Sequence, residues 1–166
     1  MLSKILSAYT KTLRLLVNTL IIISGLSVLA MITITCVDVI ARRFGITVVG
    51  AYDLVRIFSM ITLACALPYT TAVKGHVAIE FFFHKLGRKS RLVVDTVMRT
   101  LSVALFTLFT IRSLTYGNQL KISGQVTQTI QIPVYWLAYV ISFCSLVVTL
   151  VIAYSLFRPN KELVKL

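Results

Sequence analysis

The residues that could do chemistry are few and stand far apart. His76 and His84 share one short segment, Cys36, Cys65 and Cys144 each sit alone in an apolar stretch, and the carboxylates are Asp38, Asp53, Glu80, Asp95 and Glu162. Haem in a helical bundle usually takes its histidines from apolar helices, and neither histidine lies in one. No cysteine has a second Cys or a His at ligand spacing, so the three read as small core residues rather than as a metal site or disulfide framework. A catalytic nucleophile needs a partnered base at its own depth, and no such pair is visible. No catalytic residue, cofactor or metal ligand is therefore expected. A self-contained ion-coupled transporter wants an acidic residue at mid-membrane or interrupted helices; Asp38, Asp53 and Asp95 fall near the ends of apolar stretches instead.

Those stretches dominate the chain. Leu15 to Val37 carries no charge, and roughly 20 helical residues cross a hydrocarbon core of about 30 Å. Three more follow, giving spans at about 15–40, 48–73, 92–116 and 132–157. Of the 166 residues 58% are apolar and 13% charged, about half the ordinary charged share, which leaves little for a soluble domain. The expected fold is an all-α integral membrane protein, one membrane domain over 1–166, with four transmembrane helices plus short interfacial amphipathic helices. A cleavable signal peptide fits poorly, since its apolar region runs only about 7–15 residues. The net charge of +12 does not indicate nucleic acid, because the basic residues cluster at span ends rather than on one face with base readers.

Residues 1–14 place Leu2, Ile5, Leu6, Tyr9 and Leu13 at helical spacing, with Lys4, Ser7 and Lys11 elsewhere on the wheel. Such a segment is expected to lie on phospholipid as an interfacial helix. A second candidate is 76–88, with Ile79, Phe82, Phe83 and Leu86 on one arc and His76, Glu80 and His84 opposite; Gly87 to Arg91 supplies the break before span three. In span one, Ser24, Gly25 and Ser27 form a small-residue patch that lets another helix approach. Asp53 and Arg56 stand three apart and are expected to pair, and Asp95 with Arg99 is placed i,i+4. Arg112, near the far end of span three, is expected to snorkel.

Arg42 and Arg43 serve either as interfacial anchors or as contacts for a partner. Gly75-His76 reads as a helix-ending turn or as a partner contact. Residues 117–131 are expected to form a loop, with Pro133 in the first turn of span four and Tyr135, Trp136 and Tyr139 anchoring its entry. Eleven Lys and Arg flank the spans on the side of the termini against Arg42, Arg43 and Lys121 on the other, so both termini are expected in the cytoplasm.

The middle of the chain carries Asp38 and Arg42-Arg43-Phe44-Gly45, then Gly50-Ala51-Tyr52-Asp53-Leu54, Pro68, and Lys74-Gly75-His76-Val77-Ala78-Ile79. In this combination and in its four-span layout it resembles the DctQ-type small membrane subunit of TRAP transporters. That family more often has Glu where Asp53 stands, and more tryptophans than the lone Trp136. The resemblance implies a non-catalytic scaffold in the bacterial inner membrane, partnered by a large membrane subunit and a periplasmic substrate-binding protein. Substrate and sodium would be carried by the large subunit, with an organic acid of the sialic acid or C4-dicarboxylate type imported. A second reading, an autonomous small transporter or channel, needs a polar path through this bundle alone. A third, an assembly or quinone-linked enzyme subunit, would show a bound chromophore.

Overall fold

A computed structural model describes residues 2–46, 48–73 and 88–157, with side chains over 9–46, 48–73, 94 and 96–154. Four helices make up these residues: α1 (Leu2–Arg43), α2 (Ala51–Ala72), α3 (Arg88–Ser123) and α4 (Tyr135–Phe157). All four are long and apolar enough to cross a membrane. The chain is thus an all-helical, multi-pass membrane protein.

The helices stand in the order α1, α2, α4, α3, each packed on its neighbour in that row. Half of the most apolar stretch of α4 is buried inside the bundle, against 11% for α3 and 17% for α1, so α4 is the central element and α1 and α3 are edges. The core is built from Leu13, Val17 and Leu20 of α1, Ala64, Cys65 and Ala72 of α2, and Cys144, Val147, Val151 and Tyr154 of α4. Small and β-branched residues prevail because helices in lipid gain little from hydrophobicity and associate through close van der Waals contact. Ser24 lies in this seam and donates to the Thr62 carbonyl of α2 at 3.1 Å.

The inner helices α2 and α4, with 22 and 23 residues, are about 33 Å long, close to the hydrocarbon thickness. Both edge helices are much longer. The first, of 42 residues, replaces the expected separate pieces 1–14 and 15–40 by one helix. No Gly or Pro occurs before Gly25 to break it, and Leu13 and Val17, 2% and 1% exposed, carry one buried stripe across the proposed boundary. Tyr9 extends that stripe, its ring 6.2 Å from Tyr154.

Helix α3 likewise runs past the expected end of span three, so the loop expected at 117–131 begins only at Gly124. Gly117 is helical because its missing side chain admits α4: a Cβ there would stand 3.1 Å from Tyr139 Cε1 and 3.3 Å from Ala138 Cβ. Pro133 does not open the fourth helix. It forms an isolated bridge with Val126, and the helix starts two residues later at Tyr135. The segment expected to form the interfacial helix 76–88 lies outside the described residues apart from its last, Arg88, which begins α3.

Candidate functional site

The connection between α3 and α4 is a small hairpin. Thr127 N–H donates to the Ile132 carbonyl at 2.9 Å, Val134 N–H to the Gln125 carbonyl at 3.1 Å, and Ile132 N–H to the Thr127 hydroxyl at 3.0 Å. Its tip, Thr129 and Ile130, has backbone N–H groups turned away from these bonds. Both are taken by Asp53, whose Oδ2 accepts from Thr129 N at 2.7 Å and from Ile130 N at 3.2 Å. A buried carboxylate accepting two amides satisfies three polar groups at once, and charge assistance makes such bonds the stronger kind.

Asp53 is therefore not the partner of Arg56. It sits in the first turn of α2, 2% exposed, while Arg56 stands exposed. Position three of a helix also places the carboxylate beside its own N-terminal amides, where a negative charge is favourable. Sequence spacing found a neighbour on the same helix; the actual partners lie 76 and 77 residues away. The turn before α2 is shaped to receive them. Gly50 adopts φ +85°, and a Cβ there would meet Ile130 Cγ1, so glycine is required both by the backbone and by the hairpin tip resting on it.

The other hairpin-end carboxylate does a similar job within α1. Asp38 accepts from Arg42 Nε at 2.9 Å, with an Arg42 guanidinium nitrogen 2.7 Å from Oδ2, and from Val48 N–H at 3.3 Å. Two carboxylates thus tie the α1–α2 turn and the α3–α4 hairpin to helix ends. Arg42 is committed to Asp38, whereas Arg43 is exposed.

The remaining residues singled out by sequence separate cleanly. Ser24 and Ser27 are buried inside the bundle, but Gly25 faces outward, where an added Cβ would meet nothing within 4 Å. Gly75 and His76 lie outside the described residues, as does the side chain of Asp95, placed i,i+4 from Arg99. Tyr139 donates to Asn118 Oδ1 at 2.7 Å. Cys65 and Cys144 are buried, as expected of core residues, yet their sulfurs stand 3.8 Å apart, a proximity that no sequence spacing signals; Cys36 is exposed.

The buried hydroxyls are consumed locally. Ser27, Thr110 and Ser145 bond the carbonyl four residues back, and Ser142 reaches the Thr110 carbonyl of α3 at 3.0 Å. Outward-facing Thr33, Thr35, Thr100 and Thr107 do the same on their own helices. A hydroxyl bonded to its own helix is tolerated in lipid but is no longer an open rung for an ion. Among the described residues, only the Thr62 hydroxyl is buried without a partner, and no group of three or more His, Cys, Asp or Glu could hold a metal.

Fold and site together define a helical membrane protein whose two buried carboxylates hold its own loops and whose outer faces are largely apolar. The chain matches the family described as tripartite ATP-independent periplasmic transporters, DctQ component, over residues 31–161. It belongs to that family, the small membrane component of TRAP transporters. No curated protein and no solved structure matches it.

Proposed function

We propose that the chain is the non-catalytic scaffold subunit of a sodium-coupled transporter that imports an organic acid, of the sialic acid or C4-dicarboxylate type. It works with a large membrane subunit and a periplasmic binding protein, in the bacterial inner membrane with both termini cytoplasmic. The observation that carries this reading, beside family membership, is how the interior is used: among the described residues Asp38, Asp53 and the buried Ser and Thr side chains other than Thr62 are bonded within the chain. Solute and sodium would need polar groups free to coordinate them, and the large subunit is where this reading puts those groups. An autonomous transporter or channel lacks support for the same reason.

Liposomes holding the purified chain under a sodium gradient are expected to accumulate no organic acid. Addition of the large subunit and the binding protein should produce uptake that collapses with the gradient. Robust accumulation by the chain alone would overturn the scaffold reading. Reporter fusions give the orientation: the C-terminus should report cytoplasm and the Gly124–Val134 hairpin periplasm, as the eleven-to-three asymmetry of Lys and Arg demands. A periplasmic signal from the C-terminus would reverse it.

A further inference from the structure

Arg112 stands on the outer face of α3, turned away from α4, and it is not at a helix end. The Thr110 carbonyl meets Ser142, about two turns into α4, so at 1.5 Å per residue the Arg112 backbone lies on the order of 10 Å below the Tyr135 level. Since Tyr135–Tyr154 is about 30 Å of helix, that level falls inside the span rather than at its end.

Snorkelling toward the nearer face runs against the lean of this side chain. Side chains of a helix lean toward its N-terminus, and the N-terminus of α3 is at the opposite membrane face. Arg112 shares the outward face of α3 with Ala104, Thr107, Leu108 and Ile111, all on the deeper side of it. Arg56 shows the contrast: α2 begins at the hairpin end, so there the same lean favours the near surface. Among the described residues no carboxylate pairs with Arg112; the ion pair seen there joins Arg42 to Asp38.

A cation in hydrocarbon almost always faces protein and pairs with an acceptor. A phospholipid phosphate meets that need only at headgroup level, above this face. The small Ala104 and the self-bonded Thr107 below Arg112 let another backbone come close, as helix contacts in membranes require. The outer face of α1, with Ile22, Leu26, Leu29 and Ile32 exposed, is apolar enough for lipid.

We infer that the Ala104–Arg112 face of α3 docks a transmembrane helix of the large subunit, which presents a carboxylate or free helix-end carbonyls to Arg112. This rests on the functional reading above and adds to it the face and the chemistry of the contact.

The test uses the chain co-expressed with its large subunit. A photo-crosslinking residue in place of Leu108 should give an adduct with the large subunit at least about fivefold above one in place of Leu26, because short-range capture requires the two helices to touch. Arg112→Ala should lower recovery of the large subunit by about tenfold or more, as an acceptor left unpaired at depth is costly, and Arg112→Lys should restore much of it. Melting of the purified chain should be unchanged by either substitution, which separates docking from folding. Adducts from Leu108 with phospholipid alone or with a second copy of this chain would overturn the inference, as would stronger capture from Leu26. If the wild-type chain recovers no large membrane subunit, the functional reading itself fails; a wild-type complex without the α3 adduct sinks only the inference about this face.

Discussion

Asp53→Ala is expected to free the Gly124–Val134 hairpin from the bundle and to be the most damaging single change at that end of the molecule. The substitution removes both acceptor positions and leaves the Thr129 and Ile130 N–H groups, held at 2.7 and 3.2 Å, facing an apolar methyl. A buried donor without a partner loses the full benefit of solvation, which exceeds the net worth of an ordinary bond. Amide exchange at Thr129 and Ile130 should quicken by about tenfold to a hundredfold in nanodiscs, whereas amides of the α4 core should not change. Asp53→Asn keeps one acceptor oxygen without the charge and should fall between. Arg56→Ala should be nearly silent, because Arg56 is exposed and the carboxylate is committed elsewhere. Equal damage from Arg56→Ala and Asp53→Ala would restore the same-helix pair that spacing suggests.

Gly117→Leu should detach α3 from the bundle. Even a Cβ at that position meets Tyr139 at 3.1 Å and Ala138 at 3.3 Å, and Leu adds three further carbons on a seam where α3 has α4 as its packing partner. Overpacking of this kind costs about 1–3 kcal/mol, and relief by moving α3 outward would also break the Tyr139–Asn118 bond of 2.7 Å. Thermal melting in detergent should fall, and a cysteine pair bridging α3 and α4 should cross-link less. Gly25→Leu is the matched control, since open space surrounds Gly25 and the isolated chain should melt as before. A Gly25→Leu chain less stable than Gly117→Leu would mean that the two faces have been exchanged.

The two glycines illustrate how far sequence carries. Gly25 sits beside Ser24 and Ser27 in a patch suited to helix approach, and Gly117 opens what reads as a polar loop; composition ranks the first above the second. The structure reverses them, because which arc of a helix meets a neighbour depends on the azimuth of packing rather than on the presence of small residues. Pro133 and Asp53 depart from their expected roles for related reasons. A proline tolerated in a first helical turn is equally suited to an extended residue before one, and an aspartate with an arginine one turn away still bonds whatever amides the fold brings closer. The cysteine pair at 3.8 Å lies beyond any spacing rule, since it joins two helices through a tertiary contact.

What the sequence determined by itself was the class of molecule: four apolar runs of bilayer length, charges driven to their ends, and a resemblance in Asp38 to Ile79 that the family match over 31–161 bears out. These follow from the solvent, because hydrocarbon penalises charge and unsatisfied backbone wherever a residue stands in the fold. Tertiary structure alone decided the row α1, α2, α4, α3, the central place of α4, the capture of the hairpin tip by Asp53, and the outward-facing place of Arg112 on α3. Those depend on contacts between residues far apart in the chain, and in lipid such contacts are chosen by shape and hydrogen bonding rather than by hydrophobicity, so apolar patterning carries no record of them.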